Sequence, residues 1–181
     1  MEFLKKQKHT LLSIAEWAIQ EYLLTGRQAP LPEKFDVSGI LSEKMGAFVS
    51  VYVDQELRGC IGTFSESVPL YENIHQMAIQ AATQDHRFQP LTRDDIPGMK
   101  LELSVLSKRQ RVDGADDIEI GKHGIYLIKG FRRATLLPQV AVKNNFTPVD
   151  FLECCAENKL GMTKDSWKES EIFVYEAVVI S

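Results

Sequence analysis

Residues 57–64 (LRGCIGTF) bring a cysteine, an arginine and two glycines together. Arg58 stands two positions before Cys60, and Gly59 and Gly62 flank the cysteine. A nearby guanidinium favours the thiolate, which is the form of cysteine that attacks electrophiles. Glycine lets another group approach the backbone closely. We therefore predict a ligand-contacting strand with a reactive thiol, and the alternative is a buried strand with a small core cysteine.

A second group of chemically capable side chains is the run Asp85-His86-Arg87. If this run lies near Cys60, His86 could act as the base for the thiol and Asp85 could orient the imidazole. The alternative is a charged loop at the end of a helix, where His and Arg complement the C-terminal end of the helix dipole.

Two further residues could act on a ligand. His123 lies in the polar turn Gly-Lys-His-Gly and could be an acid/base group, although a hairpin turn also explains the pattern. Gln139 follows Pro138, which we expect to interrupt a strand. Its amide could bind a ligand or satisfy a buried backbone group.

The sequence gives little support for a metal ion or a cofactor. Cys60 could form a zinc site with His75, His86 or His123, but no C-x-x-C pair or H-E-x-x-H motif is present. The glycine motifs of nucleotide-binding loops are also missing. We therefore expect no bound metal and no cofactor.

Composition limits the class of protein. A chain of 181 residues with 44% hydrophobic residues can form one domain with a real core, and its net charge of −4 argues against a nucleic-acid role. Three cysteines, two of them adjacent, suit a reducing compartment. The first residues lack the apolar region of a signal peptide, and no stretch has membrane-spanning length. We expect a cytoplasmic protein.

The pattern of apolar residues and breakers predicts an α+β fold, because strands and helices alternate without a regular βαβ rhythm. On the polar side of the first helix lies Trp17, which we expect to be covered by something other than the main core. We predict helices at residues 10–24, 71–84 and 148–160, and strands at residues 47–53, 57–64, 101–105, 124–129, 133–137 and 171–180.

The chain resembles the AMMECR family, also called AmmeMemoRadiSam system protein A. The hexapeptide LRGCIG at residues 57–62 matches the signature of that family, and further matches follow in order. They are Ala81-Ala82, Asp85 to Phe88 with Pro90-Leu91, Ser104-Val105-Leu106, Gly121 to Gly124, Leu137 to Val140, and a looser match from Lys159 to Trp167. One departure is His86, which stands where the family has proline, and this weakens a catalytic role for His86.

The resemblance implies a single domain over residues 1–181 with two lobes, whose mixed or antiparallel sheets are flanked by helices. It places the Arg-Gly-Cys-Ile-Gly strand near a cleft between the lobes. It also implies a Memo-type protein and a radical S-adenosylmethionine protein as partners, but no known reaction.

Two functions follow from these observations. In the first, the chain binds or processes a small anionic substrate in the cleft, with Cys60 as a thiolate, His123 as the acid/base group and Asp85 as a further catalytic residue. Arg58 and Arg87 would then bind the anion, with Gly59, Gly62 and Gln139 shaping the site. In the second, the chain is a noncatalytic adaptor for those partners.

Overall fold

A computed structural model describes residues 2–181, which divide into two compact units. Unit 1 contains the residues up to 106 together with residues 178–181, and unit 2 contains residues 107–177. The helices are α1 (Lys5–Thr25), α2 (Leu70–Thr83), α3 (Pro138–Lys143) and α4 (Pro148–Asn158). The strands are β1 (Ala47–Val53), β2 (Glu56–Thr63), β3 (Met99–Leu106), β4 (Gln110–Val112), β5 (His123–Lys129), β6 (Arg132–Leu136) and β7 (Glu171–Ile180).

In unit 1 the antiparallel strands lie in the order β2–β1–β3. Alternation along β1 gives the sheet two different faces, because successive strand residues point to opposite sides. Ala47, Val49 and Val51 are fully buried in the core shared with α1 and α2. The other face of β1 carries Ser50 and Tyr52, which are half-buried.

The two long helices of unit 1 form because their apolar residues recur at helical spacing. In α2 the buried face includes Ile74, Ala78 and Ala81. Helix α1 begins at Lys5, five residues before the predicted start, because the Gln7 side chain accepts the Leu4 N–H at 2.9 Å and so caps the polar first turn.

In unit 2, β7 pairs with both β4 and β5, and β6 pairs with β5, all antiparallel. Helix α4 packs against this sheet and buries Phe151, Leu152 and Cys155 completely. The helix begins at a proline after Thr147, whose hydroxyl accepts the Asp150 N–H at 3.2 Å.

The predicted α+β class is confirmed, one local expectation is wrong, and one strand was not predicted. Pro138 does not interrupt a strand: β6 ends at Leu136, and the fixed φ of proline instead starts α3. The short strand β4 was not predicted, because its sequence Gln-Arg-Val shows no alternation long enough to detect.

Candidate functional site

The backbone of Cys60 is bound by two side chains at the outer edge of β2. The Asp85 carboxylate accepts the Cys60 N–H at 2.9 Å, and Arg87 Nη2 donates to the Cys60 carbonyl at 3.1 Å. An edge strand normally presents such groups unpaired. Here the two side chains supply the hydrogen bonds that a neighbouring strand would make, so they fix the position of Cys60.

The same two side chains form a bidentate ion pair. Arg87 Nε donates to Asp85 Oδ1 at 2.9 Å, and Nη2 donates to Oδ2 at 2.6 Å. The Asp85 side chain is only 4% exposed, whereas that of Arg87 is 54% exposed. Hydrogen bonding from Arg87 holds the pKa of Asp85 well below its usual range. Asp85 is therefore ionised beside Cys60 at neutral pH.

This arrangement bears on the predicted role of Asp85 toward His86. The oxygens of Asp85 are engaged by Arg87 and by the Cys60 N–H, so Asp85 does not orient His86. His86 itself is exposed in the turn after α2. A catalytic role for Asp85 that does not involve His86 stays a prediction.

The thiol of Cys60 contacts a hydroxyl that the sequence analysis did not identify. Ser50 Oγ donates to Cys60 Sγ at 3.3 Å. Ser50 lies opposite Cys60 on β2 and opposite Glu102 on β3, so the three residues form one cross-strand row on one face. The alternation of β1 was the available signal, but the pairing register that adds Glu102 was not visible in the sequence.

Tyr52 lies on this same face of unit 1. Burial raises the pKa of Tyr52, and the nearby Glu102 and Cys60 raise it further. The face of the sheet opposite α1 and α2 therefore carries the Cys60 thiol and, around it, the Ser50 hydroxyl, the Tyr52 phenol and the Glu102 carboxyl group.

Arg58 also binds a carboxylate. Its Nη1 donates to Asp95 Oδ1 at 3.2 Å, and its Nη2 lies 3.5 Å from the Gln89 carbonyl oxygen. Asp95 is held by the start of a 3₁₀ helix, where Thr92 N–H donates to its Oδ2 at 2.7 Å. Arg58 thus ties β2 to residues 89–95 and is already paired with an anion.

The two glycines of the motif serve close packing. A Cβ on Gly59 would overlap the backbone carbonyl of Ala81 in α2, and a Cβ on Gly62 would overlap the ring of Phe48. Neither glycine has a positive φ. Gly59 therefore lets α2 approach the side of β2 opposite the Cys60 thiol.

The remaining predicted site residues lie in unit 2. His123 begins β5, and its Nδ1 accepts the Glu119 N–H at 3.1 Å, which leaves Nε2 as the donor of the neutral imidazole. Gln139 is exposed at the start of α3. The structure thus gathers Cys60, Asp85, Arg58 and Arg87 in unit 1, while the acid/base role of His123 stays a prediction.

Cys60 differs from the other two cysteines. Burial raises the pKa of Cys155 to about 12, so this thiol is an inert part of the unit 2 core. Cys154 is half-buried beside Asn158. Cys60 is also half-buried, but it lies near the Arg87 guanidinium.

The described part of the chain shows neither a metal-binding cluster nor a membrane-spanning helix. Across residues 2–181, no three His, Cys, Asp or Glu side chains group so that they could hold a metal ion. None of the helices in that range could serve as a membrane-spanning segment.

The chain is similar to known proteins over almost its whole length. The AMMECR1 family model matches residues 12–180. Protein MK0488 of Methanopyrus kandleri is 40% identical, with 93% of this chain and 85% of that protein covered. Protein PF1979 of Pyrococcus furiosus is 36% identical, with 92% and 82% covered.

A solved structure supports the fold. The crystal structure of the uncharacterized protein PH0010 from Pyrococcus horikoshii matches with a TM-score of 0.81 at 31% identity. The match covers 93% of this chain and 88% of that one.

Proposed function

This chain belongs to the AMMECR1 family, and we propose that it binds a small anionic molecule beside Cys60 and presents the thiol to it. The supporting observation is the placement of Arg87, whose side chain is 54% exposed while it donates to the Cys60 carbonyl at 3.1 Å. A guanidinium held in this way can bind a carboxylate or phosphate oxygen next to the sulfur.

Arg87 keeps donors for such a ligand. Its Nε and Nη2 bind Asp85 and Cys60, while Nη1 makes no hydrogen bond with any other residue in the range 2–181. Because the Asp85–Arg87 pair is neutral overall, the directed N–H groups rather than net charge select the anion. Asp85 contributes by fixing the guanidinium in place.

The cross-strand row places a hydroxyl and a carboxylate on the face that carries the thiol. Ser50 Oγ donates to the Cys60 sulfur at 3.3 Å, and Glu102 lies opposite Ser50 on the next strand. In a group transfer, the Cys60 thiol gives its proton to the Glu102 carboxylate while sulfur bonds to an electrophilic carbon of the ligand. The displaced group leaves with the electron pair of the broken bond and takes that proton from Glu102.

A second candidate function is a noncatalytic adaptor. Both arginines of the site already bind carboxylates, Arg58 with Asp95 and Arg87 with Asp85. These contacts tie β2 to residues 85–95 and give this surface a fixed shape, which is what a partner protein needs. Under this alternative Cys60 does no chemistry.

For both functions we propose a Memo-type protein and a radical S-adenosylmethionine protein as partners, as the resemblance to AmmeMemoRadiSam system protein A implies. A shared task with a radical enzyme places the difficult chemistry on the cofactor of that partner. We therefore expect the lone chain to show no turnover on generic esterase, phosphatase or peptidase substrates.

A binding experiment tests this setting. The tagged chain is incubated with each partner from the same organism, alongside Arg87→Ala, Cys60→Ser and the matched control Arg133→Ala, which removes an exposed arginine of unit 2. We expect retention of a partner by the parent and the control. A loss with Arg87→Ala alone favours the adaptor, whereas unchanged binding with lost joint turnover in Cys60→Ser favours the thiol chemistry. Robust turnover by the lone chain, or no retention of either partner, contradicts the proposed setting.

A further inference from the structure

Unit 1 contains a groove that the Cys60 chemistry does not use. It lies between residues 28–37 and the first half of α2, and its volume is about 730 Å³. This volume is in the range of sites for small organic ligands. The Cys60 thiol points to the face of the sheet away from α2, so the groove is a separate site.

The wall of the groove contains a buried imidazole, that of His75, which interacts with the Ala29 backbone but has one unpaired nitrogen. His75 is 8% exposed, and its Nε2 makes no hydrogen bond with any residue between 2 and 181. Buried polar atoms are nearly always satisfied, so an exception needs an explanation. The imidazole is held in place by stacking on Trp17, with ring centroids 5.8 Å apart and planes 19° apart.

Two carboxylates line the groove, those of Glu33 and Glu72. The Lys34 ammonium lies over the ring of Phe35, which also lines it. The Tyr71 hydroxyl donates to Glu72 Oε1 at 3.1 Å and fixes that carboxylate. Burial lowers the pKa of His75, so its imidazole is neutral and adds no positive charge.

The same wall offers aromatic and apolar surface. Phe35 and Tyr71 line the groove together with Leu31. The Lys34 ammonium lies 5.3 Å from the centroid of the Phe35 ring, so this ring already contacts a cation. The lining therefore matches a molecule with a positive end and an apolar body.

We propose that this groove binds a small organic ammonium ion with an apolar or aromatic body. The ammonium group donates to the Glu72 carboxylate, and the neutral His75 imidazole beside it adds no competing charge. Its body packs on the aromatic and proline-rich wall. The site is independent of the proposed Cys60 function, and neither requires the other.

The first test compares three probes of similar shape and different charge. Phenethylammonium, 2-phenylethanol and phenylacetate are titrated against the Trp167→Phe protein, in which Trp17 is the fluorescent reporter beside His75. We expect a change of Trp17 emission with the ammonium, which binds at least about tenfold tighter than the alcohol, and none with the carboxylate. Equal affinities, or no response to the ammonium at millimolar concentration, would overturn the proposal.

Single substitutions test whether the ammonium binds at the groove carboxylates. Glu72→Gln keeps the size of the side chain and removes its charge, and we expect at least about fivefold weaker binding of phenethylammonium. Glu33→Gln is the second variant in case Glu72→Gln disturbs α2. The matched control Glu43→Gln removes an exposed carboxylate outside the lining, and Cys60→Ser tests independence. Both should bind like the parent, and weakening by the control to the same extent as Glu72→Gln contradicts the proposal.

Discussion

The Asp85 carboxylate accepts the backbone N–H of Cys60 at 2.9 Å while forming a bidentate pair with Arg87. A buried anion thus holds the strand that carries the thiol, and an exposed cation stands beside it. Two residues that look like a local charged turn in the sequence are the edge partners of β2.

We expect Asp85→Asn to lower the free energy of unfolding by about 1–3 kcal/mol at pH 7, because it weakens charge-assisted bonds to Arg87 and to the Cys60 N–H. The pKa of Asp85 in the folded protein lies below its ordinary value of 3.8. Its stabilisation is therefore complete above that value and is lost as pH falls through the folded-state pKa. Urea denaturation from pH 7 to pH 3 should show the stability difference between parent and variant narrowing as the pH approaches and passes 3.8, without closing. A difference that stays constant with pH contradicts an ionised, paired Asp85.

The glycines of the motif should not tolerate a side chain. Gly59→Ala and Gly62→Ala each force a Cβ onto the Ala81 carbonyl or the Phe48 ring, and we expect a loss of roughly 1–3 kcal/mol in each case. Gly114→Ala is the matched control, since a Cβ there meets open space at an ordinary φ. Thermal melts of the three variants test this. If all three have the same melting temperature, close packing at β2 does not explain why glycine occupies positions 59 and 62.

Tyr52 reports the charges on the Cys60 face. Glu102 raises the pKa of Tyr52, although burial is the larger cause. Replacing that carboxylate in Glu102→Gln removes a negative charge that disfavours the phenolate, so the pKa of Tyr52 should fall. An ultraviolet titration of tyrosine ionisation measures this, with Glu56→Gln in the β1–β2 hairpin as the control. An unchanged or higher Tyr52 pKa in Glu102→Gln would show that Glu102 does not act on this face.

Trp17 should be shielded within the chain itself. Its ring stacks on His75 and lies 6.2 Å from the Phe35 ring, centroid to centroid. In a Trp167→Phe background, iodide should quench Trp17 only in part, and adding Phe35→Ala should increase the quenching constant. Adding Phe131→Ala, which removes a fully exposed ring of unit 2, should leave it unchanged. Full quenching in the Trp167→Phe protein, before Phe35→Ala is added, would mean that Trp17 is not shielded in solution.

The sequence predicted elements well where a single period dominates. The bounds of β1 and β7 match the predicted 47–53 and 171–180, because β-branched and aromatic residues run without a breaker in both. The start of α1 and the role of Pro138 were missed, since both depend on one cap or one fixed φ rather than on a repeating pattern.

Four residues of the candidate site were named from the sequence, but their contacts were not. The cysteine, the acid and both arginines were identified from their types. Their pairing was not, because Arg58 meets Asp95 across 37 residues and Cys60 meets Asp85 across 25. Ser50 and Glu102 were missed for the same reason, since strand register rather than local sequence brings them to the thiol.

Paired alkylation rates measure whether the Arg87 guanidinium directs anions to the Cys60 thiol. Iodoacetate and iodoacetamide differ in charge but deliver nearly the same group, and mass spectrometry assigns the product to Cys60, with half-buried Cys154 as the internal control. The double variant Asp85→Asn/Arg87→Gln removes both charges without leaving a lone carboxylate. We expect the iodoacetate-to-iodoacetamide rate ratio at Cys60 to fall about fivefold in the double variant, roughly 1 kcal/mol, and to stay constant at Cys154. An unchanged ratio at Cys60, or modification of Cys60 only after unfolding, would contradict this expectation.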